Sequence, residues 1–429
     1  MRIVFYVLVA GVAALVTFAL ALLIWKLSTK YRLYPKIRAR DVHTRPTPRL
    51  GGVAMFFGVL VAFAIGSQVP QLSIVFSEPG KILAVLGAAA IIVGIGVADD
   101  IWDLDWLTKL AGQIIAAALL AWQGIQITQL PGLQHTALIL SPYMFLAITV
   151  FLVVLVMNAL NFIDGLDGLV AGVAIIANSV FFIYSYIVTY QPTGQSAYFN
   201  LPQFVSAVLI GACVGFLPLN WHPAKLFMGD AGALLVGLLM ATSTIGFTGT
   251  FDAATLSDRK LLPAFIPILL PFAVLLVPLL DFGLAVFRRL RAGKSPFSAD
   301  RLHLHHRLLD MGHSHLHAVL IFYAWTATAS VGLLLFLFTP SWVAIVVTAT
   351  GLVICTIVTL SPLSRRKAVE AAVQSAPPGS VGPRDVAAYD PLDAAADATD
   401  VESSPTEAEA ERALKRVTRA RQRKREATP

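Results

Sequence analysis

The sequence predicts an all-α integral membrane protein, a polytopic bundle of about eleven transmembrane helices with its active site at the cytoplasmic face. Three observations lead there. The 429 residues are 57% hydrophobic and only 13% charged, which excludes an ordinary soluble domain. The apolar residues fall into runs of bilayer-spanning length separated by short polar connections. The acidic residues gather in connections on one side of the membrane, where a site can form. Cys213 and Cys355 both lie inside apolar runs, read as small buried hydrophobes, and say nothing of redox compartment.

The first apolar run, near 3–25, is too long for a secretory core and carries a strong basic flank behind it, so it reads as an uncleaved first helix. Further spans are expected near 51–66, 81–98, 109–123, 142–160, 167–190, 201–219, 231–247, 261–287, 317–338 and 342–360, the second and fourth of these eleven being short. Orientation follows from Lys and Arg, because short basic connections stay in the cytoplasm. Lys26, Lys30, Arg32, Lys36, Arg38, Arg40, Arg45 and Arg49 follow the first span; Arg288, Arg289, Arg291, Lys294, Arg301 and Arg307 follow the ninth. The N-terminus is therefore expected outside and the C-terminus in the cytoplasm. A transmembrane catalytic domain is expected over 1–360. A disordered cytoplasmic linker rich in Ala, Pro, Asp, Glu and Ser follows over 361–404, and a basic tail over 405–429. In the tail, Thr406 and Glu409 make a capping box ahead of a basic run, a helix start whose charges are either solvated or laid on anionic lipid headgroups.

Three acidic clusters share the cytoplasmic side. "ADDIWDLDW" carries Asp99, Asp100, Asp103 and Asp105; "NALNFIDGLDGL" carries Asn158, Asn161, Asp164 and Asp167; "NWHPAKLFMGDAG" carries Asn220, Lys225 and Asp230. Asn158, Asn161, Asp164 and Asp167 recur every third residue and would share a face in a helical continuation, as Asp99 and Asp103 would four residues apart. Like charges this dense invite a divalent cation. Carboxylate and amide oxygens suit Mg2+, with Mn2+ the alternative, and zinc would prefer His or Cys. Arg45 and Arg49 in "RDVHTRPTPRLGG" and the "RRLRAGKSPFSADRLHLHH" stretch lie on the same side. Metal, carboxylates, Arg, Lys and His together suit a phosphorylated, nucleotide-like substrate. Asp281, inside the ninth span and near the face of Arg288, is expected to brace the basic loop. The sequence holds no G-x-x-x-x-G-K-[ST] loop, which argues against ATP-driven transport, and a nucleic-acid partner is not expected.

Taken in order, "RPTPRLGG", "DDIWDL", "NALNFIDGLDGLVAG", "FMGDAG" and "SPFSADRLHLHH" resemble the polyprenyl-phosphate N-acetylhexosamine-1-phosphate transferases, bacterial membrane enzymes that start cell-envelope polysaccharides. The resemblance covers about 1–360. It implies a plasma-membrane enzyme that takes UDP-N-acetylglucosamine and a polyprenyl phosphate in the lipid bilayer, with homodimers the usual arrangement. It implies magnesium at Asp167 and Asp230, the uracil end at Asn220 and Phe227, and the lipid phosphate at Asp99 and Asp100 with Lys109 nearby. Arg301, His303, His305 and His306 fall where the family positions the diphosphate. Asp103, Asp164, Asn158, Asn161 and Arg45 complete the candidate set. His313, His315 and His317 are expected at the membrane interface, outside the site. The branch that transfers phospho-N-acetylmuramoyl-pentapeptide is a close alternative, although it carries three adjacent histidines where this chain has "HLHH". A secondary transporter is the alternative from another class.

Overall fold

Hydrocarbon offers an open backbone N–H or C=O no partner, so apolar runs this long must satisfy their own backbones as helices. The computed structural model describes residues 2–31, 47–128, 141–190, 199–250 and 313–375, with positions 266, 268, 269, 290, 291 and 308. Every regular element among the described residues is helical: α1 Arg2–Tyr31, α2 Gly51–Ser67, a 3-10 segment Pro70–Phe76, α3 Pro79–Trp102, α4 Trp106–Trp122, α5 Pro142–Ile163, α6 Leu169–Thr189, α7 Leu201–Asn220, α8 Gly229–Thr250, α9 His315–Phe338 and α10 Ser341–Ser375. Among the described residues eight helices are long and apolar enough to cross a membrane, and nine spans result if α2 and the 3-10 segment, bent by 114°, count as one. The chain is a multi-pass membrane protein. Each expected span falls on one of these elements except 261–287, which lies outside the described residues apart from isolated positions. The last helix runs past 361, where the linker was expected to begin, to Ser375. The rest of the tail, and Asp281, lie outside the described residues.

Local signals set the helix ends. Proline in the first turn opens α3, α5 and α7. Ser141, Asn200 and Ser314 cap α5, α7 and α9, each accepting the backbone N–H three residues on. At the α3–α4 junction acids take over this role. Asp103 ends α3 in the left-handed region at φ 53, a conformation that Asp tolerates better than most residues. Asp105 caps α4 by accepting the Thr108 N–H at 3.1 Å, and the Thr108 hydroxyl and N–H hold its carboxyl below the usual range.

These caps revise two expectations of shared faces. Asp99 is buried in the last turn of α3, whereas Asp103 is turned out of the helix and exposed. The three-residue repeat from Asn158 stops at Ile163: Asp164 terminates α5, and Gly168 begins α6 at φ 78. Asp164 and Asp167 therefore sit in a turn, where backbone contacts rather than helix geometry aim them.

The packing centres on α8, whose spanning stretch is 94% buried, against 22% for α1 and 11% for α10. It packs against α2, α3, α5, α6 and α7 and so reads as apolar all round. Close approach to it is made by α2. A Cβ at Gly52 would lie 2.2 Å from the Gly232 nitrogen, so no side chain fits there. Gly52→Ala is expected to cost about 1–3 kcal/mol through overpacking, seen as an unfolding temperature in detergent below that of wild type.

Candidate active site

The C-terminal ends of α3 and α5 meet the starts of α4 and α8 around one lysine. Lys109 Nζ lies 2.8 Å from Asp99 Oδ2 and 3.4 Å from Asp230 Oδ2. Asn161 Nδ2 donates to the other Asp230 oxygen at 3.2 Å. Asp99 Oδ1 is buried with no hydrogen-bond partner among the described residues. A third acid closes in from the adjoining turn. Burial pushes the Asp164 carboxyl up to about 8, the nearby Asp230, Asp100 and Asp167 push the same way, and Arg49 opposes them. At that value the neutral acid dominates at pH 7, which limits the repulsion. Asp100 lies against Gly229, which has φ 69: a Cβ there would come 2.5 Å from Asp100 Oδ2 and 2.3 Å from the Arg49 carbonyl.

A short backbone ladder sets the depth of this centre. Phe227 N–H donates to the Pro48 carbonyl at 2.8 Å, Gly51 N–H to the Phe227 carbonyl at 3.0 Å, and Gly52 N–H to the Met228 carbonyl at 2.9 Å. The "RLGG" and "FMGD" stretches are thus one joint, held by main-chain atoms.

Asp167 forms a second centre. Its Oδ2 accepts from His222 Nδ1 at 2.8 Å and from the Ala224 N–H at 3.1 Å, and lies 3.9 Å from His315 Nε2. The His222 and His315 rings stack with centroids 4.3 Å apart. Asn220 is buried, with Oδ1 accepting from Gly168 N–H at 3.0 Å and Nδ2 donating to the Leu226 carbonyl at 3.1 Å. It joins the α5–α6 turn to the loop that carries Phe227.

Both centres carry donors that suit a divalent cation. Asp99, Asp230 and Asn161 supply hard oxygen donors or their immediate partners, and one Asp99 oxygen is buried with no hydrogen bond among the described residues, a donor set that suits Mg2+ or Mn2+. Asp167, His222 and His315 offer one ligand atom each within 4.8 Å of one another and are capable of holding a divalent metal.

Of the expected site residues, Asp99, Lys109, Asn161 and Asp230 are brought together, with Asp100 and Asp164 beside them. Asn158 is drawn elsewhere, its amide donating to Gln113 of α4 and to the Val154 carbonyl. Arg45, Arg301, His303, His305 and His306 lie outside the described residues. The second histidine trio, expected together at the interface, divides. His313 Nε2 donates to the Thr359 carbonyl at 3.0 Å, His317 is exposed, and His315 enters the Asp167 centre. His315 is thus a correction, because the first turn of α9 aims its ring inward rather than at headgroups. His222 was also missed, although it stands two residues after Asn220 in a motif already singled out.

The family model described as "Glycosyl transferase family 4" matches residues 82–248. The decaprenyl-phosphate N-acetylglucosaminephosphotransferase of Mycobacterium leprae is 40% identical over 84% of this chain and 91% of its own length. That of Mycolicibacterium smegmatis is 40% identical over 84% and 89%. The undecaprenyl-phosphate alpha-N-acetylglucosaminyl 1-phosphate transferase of Yersinia pestis is 28% identical over 74% of this chain and 81% of its own.

The lysine bridge has a direct test. Lys109→Gln removes the cation between Asp99 and Asp230 and is expected to destabilise the protein in chelator by about 1–3 kcal/mol. Added Mg2+ is expected to recover more stability in this variant than in wild type, read from thermal unfolding in detergent.

Proposed function

The chain belongs to glycosyl transferase family 4, the polyprenyl-phosphate N-acetylhexosamine-1-phosphate transferases, and we propose that it transfers N-acetylglucosamine-1-phosphate from UDP-N-acetylglucosamine to a polyprenyl phosphate, releasing UMP. This is the first membrane step of envelope glycopolymer synthesis. The observation that carries the reading is the lysine-bridged pair Asp99 and Asp230, with Asn161 on the second acid, at the joined ends of four helices.

In this reading an oxygen of the lipid phosphate attacks the β-phosphorus of the sugar nucleotide, the bond to the UMP oxygen breaks, and UMP leaves. Such transfers rest on positioning and charge stabilisation. A phosphate monoester has a second pKa near 6, so much of the nucleophile is already dianionic at neutral pH. Asp99 and Asp100 need only align the lipid phosphate or take its residual proton, with Lys109 as its cationic contact. Asn220 and Phe227 bound the uracil end, and Arg301, His303, His305 and His306 take the diphosphate, with Arg45 as a further basic contact. Asp230 of the lysine-bridged centre and Asp167 of the adjoining one would hold magnesium, which would neutralise phosphate charge. The mixed Asp167, His222 and His315 group supports a divalent cation without fixing which one.

The basic connections support a cytoplasmic site in a bacterial plasma membrane, with about eleven spans, the N-terminus outside and the C-terminal linker and tail inside. A homodimer belongs to the same reading. An amphipathic acceptor explains the placement: its phosphate lies at headgroup level while its tail needs an apolar groove between helices.

Purified protein in detergent with Mg2+, UDP-N-acetylglucosamine and polyprenyl phosphate is expected to release UMP, and UDP-N-acetylmuramoyl-pentapeptide offered instead is not. A transporter releases none from either. Asp100→Asn and Asp230→Asn are each expected to lower turnover on the order of 100-fold with the protein still folded. A phosphorylated Asp99 or Asp100 trapped after incubation with sugar nucleotide alone would replace direct displacement by a covalent route.

A further inference from the structure

The acidic turn between α5 and α6 is held from outside the family-matched stretch 82–248, by helix α9. Two hydrogen bonds do this on consecutive residues. The Asp167 N–H donates to His315 Nε2 at 2.9 Å, and the Tyr323 hydroxyl donates to the Gly168 carbonyl at 2.6 Å. Because Nε2 accepts from an N–H it carries no proton, so the His315 ring is the Nδ1–H tautomer. Its face lies nearly parallel to that of His222, at 18°. His222 in turn donates to the Asp167 carboxylate, which can only accept when ionised.

The contacts then run on toward the nucleotide end. Asp167 Oδ2 also holds the Ala224 N–H, and Asn220 joins Gly168 N–H to the Leu226 carbonyl. Leu226 precedes Phe227, whose backbone is locked to Pro48 and Gly51. The path from α9 to the segment His222–Phe227 is therefore continuous and made of hydrogen bonds. The Asp99–Lys109–Asp230 centre shares none of these bonds. In this arrangement His315 Nε2 is engaged by the Asp167 N–H and the ring serves as a brace for the turn; it could ligate a metal through that nitrogen only by giving the bond up.

We propose that His315 and Tyr323 are positioning residues for the sugar-nucleotide half of the reaction. They hold Asp167 and Gly168, and through them the His222–Phe227 segment, in register with the acidic centre. The inference rests on the transferase reading above. Leaving a buried N–H without its acceptor costs about 1–3 kcal/mol, and the loss is borne where the nucleotide is oriented.

UMP release is measured with each substrate varied in turn, alongside thermal unfolding, for wild type, His315→Ala, His315→Gln, Tyr323→Phe and His317→Ala. His315→Ala is expected to lower kcat/KM for UDP-N-acetylglucosamine by about tenfold or more, while KM for polyprenyl phosphate stays within about twofold. His315→Gln, whose side-chain carbonyl can accept the Asp167 N–H, recovers most of that loss. Tyr323→Phe removes only the hydroxyl and lowers the same parameter severalfold, and the exposed His317→Ala leaves it unchanged. If His315→Ala does not fold, His315→Gln and Tyr323→Phe carry the comparison. Equal losses for both substrates, no rescue by glutamine, or wild-type kinetics in Tyr323→Phe would overturn the positioning role. An inactive wild type would instead overturn the transferase reading itself.

Discussion

The Lys109 ammonium, set between Asp99 and Asp230, is the contact on which the rest of the arrangement depends. Carboxylates from different helix ends repel one another, and burial strengthens that repulsion. One cation lets α3, α4 and α8 converge, and the Asn161 amide adds α5 by donating to the same acid. Asp164 is accommodated differently, by a carboxyl that burial and its neighbours keep largely protonated at neutral pH. The centre is thus arranged to accept charge from outside: a buried carboxylate oxygen of Asp99 has no hydrogen bond among the described residues, and the one lysine is shared.

The fold was legible wherever an apolar run matched bilayer thickness, because hydrocarbon leaves the backbone one helical solution. The cluster was legible at Asp99, Lys109, Asn161 and Asp230, whose chemistry is scarce in a membrane chain and which the structure brings together. It was less legible at helix ends. The three-residue repeat from Asn158 points to a continuous face, yet Gly165 and Gly168 stand in the same stretch, and turn contacts with Asn220 and Tyr323 decide between the two. That Asp103 ends α3 and Asp105 caps α4 was likewise not to be read from composition.

Two juxtapositions of distant residues were not legible. His222 lies in the connection before α8 and His315 at the start of α9, and no spacing rule links them; the packing of α9 on α6 brings the rings together. The joint between "RLGG" and "FMGD" is equally hidden, since main-chain hydrogen bonds leave no residue type as a signature. Glycine was the one trace of it, because Gly52 packs directly on the Gly232 backbone. The residues of this site are therefore of two kinds, those that carry chemistry and those that permit approach.

The up-and-down course of the helices has an electrostatic consequence. α2, α4, α6 and α8 begin at Gly51, Trp106, Leu169 and Gly229, and the contacts made by their first residues bring these starts to the same end of the bundle. An α-helix carries the equivalent of about half a positive charge at its N-terminus. The negative C-terminal ends of α3, α5 and α7 meet them there, so the acids lie in opposite backbone fields: Asp230 in the first turn of α8 faces a positive helix end, and Asp99 in the last turn of α3 a negative one. The backbone thus favours charge on Asp230 over charge on Asp99, a bias that does not titrate.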